Sequence, residues 1–134
     1  MRKHIAILLM LVCVLVLTAC GGNVKNVQVK EYSSEVYSNS EIQEAIAVTV
    51  SYFKKEFSGC TLTEIGYYGD DKLPDYQEFA QRNNADEVIV LVSAFDVGPS
   101  GGDGSLNPND TYKNWKWILV RNEGGKWTHV DHGY

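Results

Sequence analysis

The sequence predicts an α+β domain in which a long amphipathic helix packs on a curved antiparallel sheet of about four strands, with a second short helix. Three observations lead to this prediction. Apolar residues repeat at helical spacing after Ser38, and the stretch from Glu87 to Phe95 is apolar on both alternating faces. Gly124 and Gly125 separate two further strand-like segments. Together these features predict a helix, a central strand and a hairpin.

The long helix has a start signal and a stop signal. Ser38 and Glu41 have capping-box spacing, and Tyr37 is placed to pack on Ile42 as a hydrophobic staple. Gly59 ends an apolar stripe about four turns long. The stripe consists of Ile42, Ala45, Ile46, Thr49, Val50, Phe53 and Phe57. We therefore expect one face of this helix to be buried.

The remaining elements follow from turn residues and from alternation. Pro74 suits the first turn of a short helix, because that turn does not need its missing N–H. The central strand should be covered on both faces, since both are apolar. The predicted elements are a strand over 60–69, a short helix over 74–83, and strands over 87–95, 112–121 and 126–132.

The amino terminus has the layout of a bacterial export signal. Arg2 and Lys3 precede an apolar run from Ile5 to Leu17, which is shorter than the ~20 residues of a membrane-spanning helix. The tetrapeptide Leu-Thr-Ala-Cys that ends at Cys20 resembles the bacterial lipobox. This resemblance implies cleavage before Cys20 and a diacylglyceryl group on its thiol. It predicts a lipoprotein anchored to the cell membrane and facing outside the cytoplasm.

The chain thus divides into three predicted segments: a signal peptide over 1–19, the lipidated cysteine with a flexible tether over 20–37, and a globular domain over 38–134. The tether is polar and shows no sustained period, but an edge strand is the alternative for part of it. The β-forming residues that favour this alternative are Val24, Val27 and Val29.

Charge and cysteine content narrow the possible partners. Loss of residues 1–19 removes Arg2 and Lys3 and no acidic residue, so the net charge moves from −5 to −7. An acidic chain without a basic patch argues against nucleic acid as a partner, and leaves the acyl chains as the expected membrane contact. Removal of Cys13 and lipidation of Cys20 leave Cys60 without a disulfide partner. It is expected to be a small buried side chain.

The closing strands carry a resemblance to a family. The segment WKWILVRNEGGKWTHVDHGY, together with the order of elements, resembles small bacterial lipoproteins of unknown function with a nuclear-transport-factor-like (cystatin-like) domain. The resemblance covers roughly residues 38–134 and implies a cone-shaped cavity between the long helix and the sheet. It implies no particular activity, because that fold hosts both enzymes and binding modules.

The polar cluster at the carboxyl end offers a catalytic and a structural interpretation. His129 and Asp131 would lie on one strand face, where the carboxylate orients the imidazole as a general base. A short hairpin loop instead places Lys116 opposite Asp131 as an ordinary cross-strand pair. A metal shared by His129 and His132 would need a bulge or a third ligand, so no metal site is predicted.

The loop over 96–111 is rich in glycine and asparagine and long for a hairpin connection. Its side chains could offer oxygen ligands to calcium, but their spacing departs from that of an EF-hand. The candidate ligands are Asp103, Asn107, Asn109 and Asp110. We expect a flexible connection, and no change of the thermal midpoint with calcium.

The aromatic residues could line a ligand pocket, although such residues more often belong to the core. The pocket candidates are Tyr67, Trp115, Trp117 and Trp127. No phosphate loop, nucleophile elbow or HExxH motif occurs in the sequence, and no cofactor is predicted.

The leading functional hypothesis is a non-catalytic module that binds an unknown small ligand or an envelope protein. The alternatives are a small hydrolase or isomerase that uses His129 and Asp131, and an accessory subunit that docks through its sheet.

Overall fold

Five strands in sequential order form one open, mixed sheet in the computed structural model, which describes residues 21–134. The α+β class is confirmed, with five strands in place of about four. The elements are β1 (Gln28–Val29), α1 (Asn39–Glu56), β2 (Cys60–Tyr67), a 3-10 helix (Asp70–Tyr76), α2 (Gln77–Arg82), β3 (Glu87–Val97), β4 (Thr111–Arg121) and β5 (Thr128–Gly133). The predicted signal peptide and Cys20 lie outside the described residues.

The fifth strand comes from the segment predicted as a tether. β1 pairs in parallel with β2, and an isolated bridge joins Asn23 to Thr61 further upstream. The Gly22 N–H donates to the Lys54 carbonyl oxygen at 2.8 Å, and the Asn23 N–H donates to the Cys60 carbonyl oxygen at 2.8 Å. These bonds hold the segment along the edge of β2, as the edge-strand alternative predicted.

The start of α1 confirms the predicted capping box. The Ser38 hydroxyl accepts from the Glu41 N–H, and the Glu41 carboxylate accepts from the Ser38 N–H at 2.9 Å. The buried residues of the helix are Ile42, Ala45, Ile46, Thr49 and Phe53. Phe53 contacts Phe95 and Trp117, so α1 lies across the middle of the sheet.

The opposite face of the sheet is covered by the 3-10 helix and α2. Neighbouring residues of β4 point to opposite faces of the sheet. Trp117 packs on α1, whereas the Lys116 ammonium lies 5.6 Å from the centroid of the Tyr68 ring on the other face. Tyr68 in turn packs edge-on against Tyr76 of the 3-10 helix. The central strand β3 is therefore buried on both faces, as its double apolar pattern predicted.

The register of the β4–β5 hairpin differs from the predicted one. Ile118, not Lys116, lies opposite Asp131, and Leu119 lies opposite His129. Two neighbouring residues of β4 therefore match β5 residues that are two apart, which makes Val130 the extra residue of a β-bulge. The predicted Lys116–Asp131 pair is wrong, because a longer connection and this bulge shift the pairing.

Candidate functional site

A pocket opens between the carboxyl end of α1 and the adjoining end of the sheet. Its volume is about 260 Å³, slightly below the ~300 Å³ at which small-molecule sites usually begin. The helix, β4, β5 and the loop after β3 all contribute to its wall. The side chains that give the pocket its chemistry are Tyr52, Glu56, Phe57, Asp103, Trp115 and His132.

Aromatic rings form the inner wall of this pocket. Phe57 and Trp115 meet edge to face with centroids 6.3 Å apart, and the Trp115 ring stacks on His132 at 5.8 Å. Tyr52 lies 5.8 Å from His132 and 6.4 Å from Phe57. Below them, the ring of Trp117 is fully buried, so the pocket stops at the aromatic core. The space between helix and sheet is thus open at one end and filled in the middle.

Two carboxylates stand at the exposed side of the pocket. Glu56 belongs to the last turn of α1, and Asp103 belongs to the loop between β3 and β4. Asp103 Oδ1 accepts hydrogen bonds from the Ser105 N–H at 2.9 Å and from its hydroxyl at 2.5 Å, and these bonds lower the pKa of Asp103. Among the described residues that line the pocket, none is a lysine or an arginine.

Backbone hydrogen bonds cross the loop that carries Asp103. The Leu106 N–H donates to the Gly101 carbonyl oxygen, and the Asn109 N–H donates to the Gly98 carbonyl oxygen. Gly98 itself donates to the Gly59 carbonyl oxygen at 3.0 Å, which fixes the loop against the turn between α1 and β2. Asp103 is therefore held beside the helix end by backbone hydrogen bonds.

His129 and His132 form a pair that the bulge at Val130 makes possible. Without the bulge, residues three apart on a strand point to opposite faces. With it, the two rings stack at 5.2 Å, and His132 Nδ1 lies 3.2 Å from His129 Nε2. One of these nitrogens donates to the other, so the two rings are complementary only when at least one of them is neutral.

Burial lowers the pKa of both imidazoles. For His129, burial is the largest cause, the charge of His132 adds to it, and Asp131 opposes it. For His132, burial also dominates, again against Asp131. The pair is therefore mostly uncharged at neutral pH.

The predicted catalytic pair does not meet in the predicted way. The exposed Asp131 carboxylate accepts the His132 backbone N–H at 2.8 Å, while the His129 ring contacts His132 and stacks on Tyr52 at 4.1 Å. His132 lines the pocket, and His129 lies behind it against Trp117. The structure thus joins His129 to a second histidine, and Asp131 to the backbone.

Of the four aromatic pocket candidates, Trp115 lines this pocket and the other three are core residues. Trp117 donates its Nε1–H to the Ser93 hydroxyl at 2.7 Å. Trp127 donates to the Glu41 carbonyl oxygen at 3.1 Å, and the Tyr67 hydroxyl donates to Asp70 at 2.6 Å. The last two lie near the amino end of α1, where both contact Tyr37 edge to face.

Three of the six side chains that give the pocket its chemistry, and one buried charged residue, were not among the candidates predicted from the sequence. Tyr52, Glu56 and Phe57 occupy the last helical turns, where the apolar stripe meets the stop signal, and that position was the available clue. Arg121 closes β4 and is buried, with its guanidinium bound to both Glu41 and Glu87. Burial alone would lower the pKa of Arg121, but these hydrogen bonds outweigh it and raise the pKa.

The described residues do not offer a ready metal centre. No group of three histidine, cysteine, aspartate or glutamate side chains in the part of the chain from residue 21 onward is arranged to hold an ion. Cys60 is buried in the wall of the pocket, and burial raises the pKa of its thiol, as expected for a small core side chain.

Comparison of the chain with protein-family models, with curated proteins and with solved structures found no match.

Proposed function

We propose that this protein is a lipid-anchored bacterial lipoprotein, facing outside the cytoplasm, that binds a small ligand in the pocket at the carboxyl end of α1. The observation that supports binding is the pocket itself, where three aromatic side chains, His132 and two carboxylates converge from four parts of the chain. Apolar walls with a few placed polar groups are typical of small-molecule sites. The resemblance to lipoproteins with a nuclear-transport-factor-like domain belongs to the same proposal.

The lipid anchor rests on the lipobox-like sequence that ends at Cys20. Within residues 21–134, no helix has the length and apolar character needed to cross a membrane. Cys20 lies two residues before Gly22, a reach of about 7 Å. Because Gly22 is bonded to Lys54, a lipid on Cys20 would attach near the same end of the fold as the pocket. The proposal therefore places the ligand site close to the membrane surface.

The non-catalytic interpretation fits the arrangement of the histidines. A general base needs an oriented imidazole that a substrate can reach. His129, the predicted base, lies behind His132 and is oriented by that ring, while Asp131 is exposed. The hydrolase or isomerase alternative remains a prediction whose test is turnover of a ligand once one is found.

Binding can be tested with fluorine-labelled tryptophan in the full-length protein, purified in a maltoside detergent. The sequence has three tryptophans, and only Trp115 among them lines the pocket, whereas Trp127 lies near the other end of α1. We expect compounds from a diverse fragment set to shift the fluorine resonance of Trp115 and not that of Trp127. Trp115→Phe assigns the signal. If no compound moves the Trp115 resonance selectively, the binding proposal is wrong.

The anchor is tested separately with Cys20→Ser in the native host. We expect this variant to lose labelling by radioactive palmitate and to leave the membrane fraction, or to accumulate as uncleaved precursor. Cys60→Ser, which removes a thiol within the folded domain, is the matched control and should keep both label and membrane location. Normal processing and retention of Cys20→Ser would contradict the anchor.

A further inference from the structure

We infer that the pocket at the carboxyl end of α1 binds a small organic cation, with a primary or quaternary ammonium group on a short apolar body. This inference rests on the proposed function, that the pocket binds a ligand, and names the ligand class. It depends on the charges, the aromatic walls and the size of the pocket.

The charged side chains that line the pocket are both acidic. Glu56 and Asp103 both line the pocket and are exposed, and one belongs to the helix and the other to the loop. Lys54 and Lys55 belong to the same helical turn as Glu56 but are not among the lining residues. A carboxylate or phosphate ligand would meet these two acids without a cationic partner. An ammonium group would gain attraction from both.

The aromatic walls suit the same group. A cation is attracted to the face of a tryptophan, tyrosine or phenylalanine ring when it lies within about 6 Å of the ring centroid. Tyr52 and Phe57 supply rings from the helix side, and Trp115 supplies a ring from the sheet side. Aromatic rings beside carboxylates in one pocket supply the two attractions that an alkylated ammonium can use.

His132 does not oppose this selectivity near neutral pH. Its ring lines the pocket, burial lowers its pKa, and its stacking with Trp115 and pairing with His129 hold it in place. A neutral imidazole offers a hydrogen bond to a hydroxyl or an amine without repelling a cation. The volume of about 260 Å³ limits the ligand to a small body.

The direct test compares choline with its uncharged isostere 3,3-dimethyl-1-butanol, in the fluorine-tryptophan experiment on the full-length protein. The two compounds have almost the same shape, so their affinities differ through the charge alone. We expect choline to bind roughly ten-fold more tightly. Acetate should leave the Trp115 resonance unmoved.

Substitution of each carboxylate tests whether it contributes to the preference for a cation. Glu56→Gln and Asp103→Asn should each weaken choline binding by roughly three- to ten-fold, and leave the affinity for the neutral alcohol unchanged. Glu44→Gln is the matched control, because Glu44 is an exposed acid of the same helix that is not a lining residue. It should bind choline like the unaltered protein.

The ammonium group could belong to a free amine or to a lipid headgroup, and a second arm separates the two sources. Protein with the Cys20→Ser substitution, from which residues 1–19 with their apolar run are also removed, is mixed without detergent with vesicles of phosphatidylcholine or of phosphatidylglycerol. Sedimentation with phosphatidylcholine vesicles alone, reversed by free choline, assigns the headgroup. Choline binding without sedimentation assigns the free amine. Both results support an ammonium site.

Two results would overturn the inference and can be told apart. If the neutral alcohol binds as tightly as choline, or if only anions shift the Trp115 resonance, the pocket is a ligand site of another class. In that case the inference fails and the proposed function stands. If no compound shifts the resonance, both fail.

Discussion

Arg121 joins the helix to two strands, and its removal should be the most costly single change in the charged core. Its side chain is 8% exposed, whereas those of Glu41 and Glu87 are 32% and 33% exposed. Arg121 Nε lies 2.6 Å from Glu87 Oε2, and the guanidinium carbon lies 4.2 Å from the Trp127 ring centroid. One guanidinium therefore satisfies two acids and stacks on an indole.

The expected cost of Arg121→Met follows from these exposures. Loss of one partner from a fully buried ion pair costs about 3–5 kcal/mol, because the remaining charge is unpaired. Here the two carboxylates keep about a third of their surface in water and can recover part of their hydration. The methionine keeps the apolar stem. We therefore expect the free energy of unfolding to fall by about 2–4 kcal/mol.

Urea unfolding followed by circular dichroism measures this change. Arg82→Met is the matched control, because Arg82 pairs with Glu78 at 3.2 Å with both side chains more than half exposed. Arg82→Met should lower the free energy of unfolding by at most about 1 kcal/mol. Adding Glu87→Gln to Arg121→Met should restore part of the loss, since it removes one unpaired charge. If Arg121→Met costs no more than Arg82→Met, the guanidinium does not stabilise the fold as argued.

Three further predictions test the histidine pair, the amino-terminal segment and the core. The lowered pKa values of His129 and His132 mean that the unfolded chain binds protons first as the pH falls below about 6.5. The free energy of unfolding should therefore fall from pH 7.5 to 5.5. Replacing both histidines by glutamine should reduce this dependence of stability on pH. If the dependence is unchanged, other titratable groups cause it. Gly22→Val should destabilise the protein by about 1–3 kcal/mol in urea, because a Cβ at Gly22 would lie 2.5 Å from a carbonyl oxygen of α1. A neutral effect would show that the segment behaves as a loose tether. Ser93→Ala should lower the free energy of unfolding by about 1–3 kcal/mol, because it leaves the buried Trp117 indole N–H without an acceptor. Thermal or urea unfolding measures this change, and a decrease below about 0.5 kcal/mol would argue against that hydrogen bond.

The sequence alone predicted the features whose causes lie within a few neighbouring residues. The capping box of Ser38 and Glu41 is confirmed because both of its hydrogen bonds join residues three apart. The central position of β3 is confirmed because a strand that is apolar on both faces must be covered on both. Cys60 is buried, as its place at the start of an apolar strand suggested.

Only the tertiary structure decided which distant residues meet. The bulge at Val130 depends on how β5 packs against β4 and α1, and it brings His132 to His129, where alternation had placed Asp131 beside His129. Arg121 is separated by 80 residues from Glu41, a pairing that no local spacing encodes. The pocket likewise collects side chains from a helix end, a loop and three strands. Such contacts depend on register and on the docking of whole elements, so they become definite only when the chain is folded.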